Sequence, residues 1–268
     1  MQAIAKEMNF SETTFVLPAD RPDTDVRMRI FTPGEELPIA GHPTIGTTFA
    51  LARSGIVERG RETVVFGCGI GPVPVAMTWS GDDLSFAWMS QPLPVFGEPV
   101  PDPARAAAAL SLSPAAVAGT GQPVQIVSCG VPFLFVPLTT RSAVDSVVVN
   151  RRLLDDLFAA TGSSAHGVFV FSAQPGDSRA TAYSRMFAPG MGITEDAATG
   201  IASGALGCYL ARHKIVPPEK ADAMISLQGA KMGRPSHVHM SIRIESGAIS
   251  SVRVGGEAVL ASEGTLYL

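Results

Sequence analysis

Residues 185–212 read RMFAPGMGITEDAATGIASGALGCYLAR, and the order of parts in this stretch decides the architecture. Apolar residues end a strand near Phe187, a Gly/Pro-rich loop follows, and Thr199-Gly200 opens a long apolar helix. The loop carries an acidic pair, Glu195 and Asp196. A carboxylate beside a helix N-terminus sets a proton carrier next to an anion site. The first-turn N–H groups have no partner inside the helix, and the helix end is equivalent to roughly half a positive charge. A capped helix after a loop shows the same local pattern, so the rest of the chain must separate the two readings.

A second helix start supports the anion-site reading. Gly41-His42-Pro43 precedes an apolar run over 44–53, with Pro43 as a start signal and Gly55 as a stop. The two helices overlay at one constant offset without a gap. Gly41 falls on Gly200, Thr44 on Ser203, Leu51-Ala52-Arg53 on Leu210-Ala211-Arg212, and Ile56-Val57 on Ile215-Val216. Both are apolar on nearly all sides, which predicts burial. The overlay implies two halves related by a pseudo-twofold. Each aims a helix N-terminus at a common cleft, where N–H groups from both sides grip one carboxylate.

Outward from the helices the pattern is mostly β. Residues 1–8 read as a short helix without an N-cap, 13–17 and 25–32 as strands, and 62–66, 71–79 and 84–89 as one antiparallel sheet. Gly67, Gly69 and Gly71 read as turn glycines, because no helix follows to make a phosphate loop. The segment 91–103 carries Pro92, Pro94, Pro99, Pro101 and Pro103 and reads as a linker. Beyond it, 104–110, 114–118 and 152–160 read as helices. Strands are expected over 124–128, 133–138, 167–172, 180–187, 224–227, 238–245, 249–254 and 265–268. Two halves of similar order, each mostly β with one apolar helix, predict a duplicated α+β unit.

The totals agree with that class. The 268 residues are 46% hydrophobic and 16% charged, enough for a sizeable core, and Gly 27 with Pro 21 fits many turns. A net charge of −4 without a Lys/Arg run disfavours nucleic acid as a partner. Cys68, Cys129 and Cys208 are odd in number and widely spaced, so neither a disulfide framework nor a zinc site is expected. Thiols of this kind, with no apolar run of spanning length, point to the cytoplasm and away from a membrane. His237 and His239 alternate along a strand and bring no further ligand, so no metal site is read from them. His166 and His213 carry no motif.

The groups available for proton work are Glu12, His42 and Asp196. Glu12 stands at a helix-to-strand junction, where a side chain is held rigidly and can face a cleft; on its local sequence alone a solvated turn residue is the favoured reading. His42 reads either as a cleft group or as a hydrogen bonder at a helix start. Asp196 reads as an acid/base or as a loop anchor, and Glu195 as the structural member of the pair. A cleft carboxylate that is partly desolvated has the raised pKa that general acid/base chemistry needs.

Four pieces carry a wider resemblance: QAIAKEMNFSETTFV at 2–16, RIFTPGEELPIAGHPTIGT at 29–47, RMFAPGMGITEDAATG at 185–200 and QGAKMGRPS at 228–236. In these the chain resembles the PhzF family of phenazine-biosynthesis isomerases. The resemblance implies two β-roll domains, each around a central buried helix, as in diaminopimelate epimerase. The expected bounds are 1–102, completed by 255–268, and 103–254. It implies acid/base chemistry without a cofactor on a small carboxylate-bearing substrate, a dihydro-hydroxyanthranilate ring being one option, and a homodimer. Carried over by position, the catalytic residues are Glu12, His42 and Asp196. The substrate-binding positions are Gly41, Pro43, Thr199, Gly200 and Ile201. The resemblance selects Glu12 over Glu36, which spacing alone leaves open.

Two departures from the family pattern shape the expectations. Ile201 stands where the family has serine, which keeps a backbone donor, removes a hydroxyl contact and makes the cleft more apolar. Family members also have strands before the first helix, so the first sheet is expected to lack one or two strands and to expose an edge. The racemising relatives use a cysteine pair, and no cysteine stands at either helix start here. A hydrolase is disfavoured because no Ser or Cys nucleophile sits with a histidine in an activating motif. The rival to the isomerase is a carboxylate-binding protein of the same fold with impaired catalysis. The orientation of Glu12, into the cleft or into solvent, separates the two.

Overall fold

The computed structural model describes every residue except Ser163, Ser164, His166 and Leu268, so His166 lies outside the described residues. The first half holds α1 (Gln2–Met8), β1 (Thr13–Pro18), β2 (Val26–Phe31), β3 (Glu36–Leu37), α2 (Gly41–Arg53), β4 (Thr63–Cys68), β5 (Gly71–Ser80) and β6 (Asp83–Gln91). Then come β7 (Val95–Pro99), α3 (Pro103–Ala109), α4 (Pro114–Ala118), β8 (Gln125–Ser128), β9 (Pro132–Pro137), α5 (Arg141–Asp145) and α6 (Arg151–Thr161). The second half closes with β10 (Gly167–Ser172), β11 (Ala182–Ala188), β12 (Ile193–Asp196), α7 (Gly200–Arg212), β13 (Met224–Gln228), β14 (Ser236–Glu245) and β15 (Ala248–Gly256).

The strands form one continuous ladder, β1-β2-β4-β5-β6-β15-β14-β13-β11-β10-β9-β8-β7, with β3 on β2 and β12 on β11. The repeat seen in the two helices extends to the pairing. β2 runs parallel to β4 and antiparallel to β1 and β3. β11 likewise runs parallel to β13 and antiparallel to β10 and β12. In each half the central helix makes the crossover between the parallel strands, and an antiparallel run follows it, β4-β5-β6 or β13-β14-β15. The last strands of the two runs, β6 and β15, pair antiparallel and join the halves. β1 closes one end of the ladder, with no strand on its outer edge among the described residues.

Both central helices are core elements. Every residue of α7 from Gly200 to Leu210 is buried, which its uniformly apolar sequence predicts. One apolar cluster surrounds α2 and α7 together and spans both halves. A second lies between the other face of the second-half strands and helices α3 to α6. In α7, glycines sit where neighbours press closest. A Cβ at Gly207 would lie 2.9 Å from the Ile242 side chain, and one at Gly204 would overlap the Gln91 amide.

Three sequence expectations need correction. The proline-rich segment at 91–103 contains a strand, β7, which pairs with β8. Of the five prolines only Pro99 lies in β7, at its end, and among the described residues β7 has a strand on one edge only. Asp196 ends a short strand, β12, instead of lying in an open loop. Residues Thr265, Leu266 and Tyr267 form no strand and are exposed. Among the described residues no helix is long and apolar enough to cross a membrane, and no cluster of His, Cys, Asp and Glu could hold a metal ion.

Candidate active site

The two central helices meet at their N-termini. A Cβ on Gly41 would lie 2.5 Å from the Gly200 Cα and 2.8 Å from the Ile201 nitrogen; one on Gly200 would lie 2.9 Å from the Gly41 Cα. Only a pair of glycines allows that backbone contact. Neither helix has a side-chain cap, at Ala40 or at Thr199. The peripheral helices α3, α5 and α6 are capped by Asp102, Thr140 and Asn150. The two buried helices therefore keep first-turn N–H groups free, next to each other, with both positive dipole ends converging.

A cavity of about 110 Å³ opens at this junction. Its walls include Glu12, Gly41, His42, Asp196, Thr199, Gly200 and Ile201. The remaining wall is largely apolar, with Leu37, Ile39, Val131, Phe133, Met186, Met191 and Ile193. Of the residues singled out by sequence, Pro43 alone is absent from the wall: it is buried in the first turn of α2. Ile201 is 4% exposed and faces the cavity.

Glu12 reaches the cavity from the junction of α1 and β1. Its side chain is only 7% exposed, and Oε2 lies 3.0 Å from His42 Nε2. That oxygen has no aligned hydrogen-bond partner, so the contact is chiefly between charges. The other ring nitrogen of His42, Nδ1, is 2.7 Å from the Ala198 carbonyl oxygen. Burial disfavours the imidazolium, though the ring keeps 39% of its surface open to the cleft. The Glu12 contact and charge, the Asp196 charge and the Ala198 carbonyl outweigh it and raise the His42 pKa to about 9. The ring is therefore charged at neutral pH. Glu36 stands apart from the site, in a bidentate pair with Arg29 at 2.8 and 2.6 Å.

Asp196 is 4% exposed, and its Oδ2 accepts a hydrogen bond of 2.6 Å from the Thr199 hydroxyl. The neighbouring Glu195 is structural. It receives two 2.8 Å bonds from Arg185, whose Nη1 also donates to the Val144, Asp145 and Val147 carbonyls. This buried pair pins β12 and with it Asp196. The residues that sequence reasoning passed over are Arg185, Gln91 and Gln228. Gln91 donates to the Gly200 carbonyl at 3.1 Å, and Gln228 bonds to Thr199 and Asp196. The only signal available for the glutamines was a polar residue ending an apolar strand. No cysteine lines the cavity: Cys129 and Cys208 are buried 3.9 Å apart, and burial raises the Cys68 pKa to about 11. His237 lies 3.8 Å from Asp177, and His239 packs edge-on against Phe86 and Trp88.

Known proteins resemble this chain in sequence and in fold. A trans-2,3-dihydro-3-hydroxyanthranilate isomerase of Pseudomonas aeruginosa is 35% identical over 275 residues, covering 100% of this chain and 88% of the relative. An uncharacterised isomerase of Mesorhizobium japonicum, mll1393, is 34% identical over 272 residues with the same coverage. Among solved structures, a PhzF-family phenazine biosynthesis protein of Bacillus anthracis superposes with a TM-score of 0.82 at 25% identity, covering 96% of this chain and 84% of that one. A probable proline racemase from Agrobacterium radiobacter shares the fold at a TM-score of 0.63 and 16% identity, over 94% of this chain and 76% of that one. The phenazine biosynthesis-like protein family, PhzC-PhzF, matches residues 1–264, and the chain belongs to it.

Proposed function

We propose that this chain is an isomerase that moves a proton within a small carboxylate-bearing substrate, using its own side chains and no cofactor. Curated relatives at 33% to 35% identity are named isomerases, three of them trans-2,3-dihydro-3-hydroxyanthranilate isomerases. The observation that carries the reading is Glu12. Its carboxylate is 7% exposed, faces the cavity where the two helix starts meet, and has a charged histidine beside it. A glutamate that was only a solvated turn residue would face bulk water, not the cavity. The substrate carboxylate binds the free N–H groups at Gly41, His42, Gly200 and Ile201. Glu12 accepts the proton from one carbon. The C–H electron pair delocalises into the adjoining π system, its charge stabilised by the helix ends, and Glu12, whose proton trades with solvent at the open side of the cleft beside His42, delivers a proton to another carbon. His42 supplies the counter-charge that orients Glu12, and Asp196 accepts a hydrogen bond from the substrate. The apolar wall, Ile201 included, excludes water from the carbanion-like intermediate.

Deuterium incorporation tests this. Trans-2,3-dihydro-3-hydroxyanthranilate and other small unsaturated carboxylates are incubated in D₂O with the wild type and with Glu12→Gln, and product mass is followed. The wild type is expected to incorporate solvent deuterium, and the variant to do so about 100-fold more slowly or worse. Undiminished exchange in the variant removes Glu12 from the proton-carrying role.

A further inference from the structure

We propose that Gln228 is a positioning residue that fixes Asp196 as a hydrogen-bond acceptor, through a relay whose direction the fold dictates. Gln228 ends β13, is fully buried, and lies beneath the turn that leads from Asp196 into α7. Its Oε1 is 3.0 Å from the Thr199 backbone nitrogen; its Nε2 is 2.8 Å from the Asp196 carbonyl oxygen and 2.9 Å from Thr199 Oγ1. The amide has one possible orientation. A backbone N–H only donates and a backbone C=O only accepts, so turning the amide over would set donor against donor and acceptor against acceptor.

The consequences run outward from that fixed amide. Thr199 Oγ1 receives the Nε2–H, so its single proton is free to go elsewhere. The atom in reach is Asp196 Oδ2, 2.6 Å away. The hydroxyl proton thus points at the carboxylate, and Oδ2 is always an acceptor. Oδ1 has no protein partner among the described residues, and Asp196 lines the cavity. One oxygen is tied to the protein and the other is left for the substrate. The same amide sets the aim of the Thr199 N–H, immediately before the free N–H groups of Gly200 and Ile201, so it also orients half of the carboxylate clamp.

This inference rests on the function proposed above for the cleft, and its test separates the two. Gln228→Leu removes all three bonds at similar size. Gln228→Glu keeps the acceptor for the Thr199 N–H, loses both donors while ionised, and regains one of them when the new carboxyl is protonated. Thr199→Val removes the hydroxyl of the relay and leaves the two bonds from Gln228 to backbone atoms in place. Each is measured for deuterium exchange on trans-2,3-dihydro-3-hydroxyanthranilate, for benzoate affinity by calorimetry and for Tm. Expected are a kcat about tenfold lower or more for Gln228→Leu and Thr199→Val, the worth of one hydrogen bond to a charged group, and little further loss in the double variant. Gln228→Glu should be impaired at pH 8 and recover relative to wild type toward pH 5. Benzoate should bind about tenfold more weakly to Gln228→Leu, in line with the same bond. Wild-type kcat and benzoate affinity in the Gln228 variants, with only Tm lowered, would reduce Gln228 to a structural residue. So would additive losses in the double variant, or no pH recovery in Gln228→Glu. If Gln228→Leu does not fold, Gln228→Glu and Thr199→Val decide. A wild type that binds benzoate but exchanges nothing removes the isomerase reading and leaves Gln228 to be judged on binding. A wild type that does neither overturns both.

Discussion

At the scale of single residues, the site is a set of charges held in opposition. His42 lies between the Ala198 carbonyl and the Glu12 carboxylate, and Asp196 adds to the negative field. A histidine pKa raised from 6.5 to about 9 has a defined sign in pH experiments. Its stabilising contribution is complete below about pH 6.5 and is lost as the pH rises through about 9. Tm is therefore expected to fall between pH 7 and 10, and exchange activity to fall on the same alkaline limb, because neutral His42 no longer offers Glu12 a counter-charge. In His42→Gln that limb should be absent from a Tm–pH profile; an unchanged limb would assign the titration to another group. Sequence alone made His42 and Asp196 visible, as polar residues beside helix starts. Glu12 and Glu36 were indistinguishable by spacing, since each stands near a strand end. What separates them is the burial of the carboxylate itself, 7% exposed for Glu12 and 41% exposed for Glu36.

At the scale of elements, the two buried helices are set apart by where their uncapped starts lie. Their starts are uncapped and abut through Gly41 and Gly200, whereas α3, α5 and α6 carry caps. A methyl at Gly41 would meet backbone atoms, which cannot swing aside. Gly41→Ala is expected to cost about 1–3 kcal/mol as overpacking, read from chemical denaturation, and to separate the two helix starts. A variant of wild-type stability would contradict the contact. The strand that carries Asp196 depends on the Arg185–Glu195 pair, both ends of which are nearly buried. Glu195→Ala leaves that guanidinium without its counter-charge and should cost about 3–5 kcal/mol, while Arg185→Met with Glu195→Met should cost less than the single change. These elements were unequally legible. The helices showed in their uniform apolarity. β7 was hidden because the prolines in and around it read as a linker, and an edge strand tolerates Pro99 at its end. β12 was too short for any alternation to show, and a buried arginine or glutamine has no periodic signature.

At the scale of the whole molecule, the duplication is functional geometry. The two halves repeat the same pairing of parallel and antiparallel strands around α2 and α7, and they join through β6 and β15. That junction is what brings the two helix starts together. The gapless overlay of residues 41–57 on 200–216 made this visible in sequence, because burial on all sides leaves few residue types for a helix to use. The order of strands and the meeting of the helix ends were not visible, since they depend on contacts far apart in the chain. The central claim is that both halves hold one substrate carboxylate. It is tested most directly by titrating isotope-labelled protein with benzoate and following the backbone amides of Gly41, His42, Gly200 and Ile201 by NMR. The account predicts that all four shift together with a single dissociation constant. Shifts confined to one helix start, or absent from both, would contradict it.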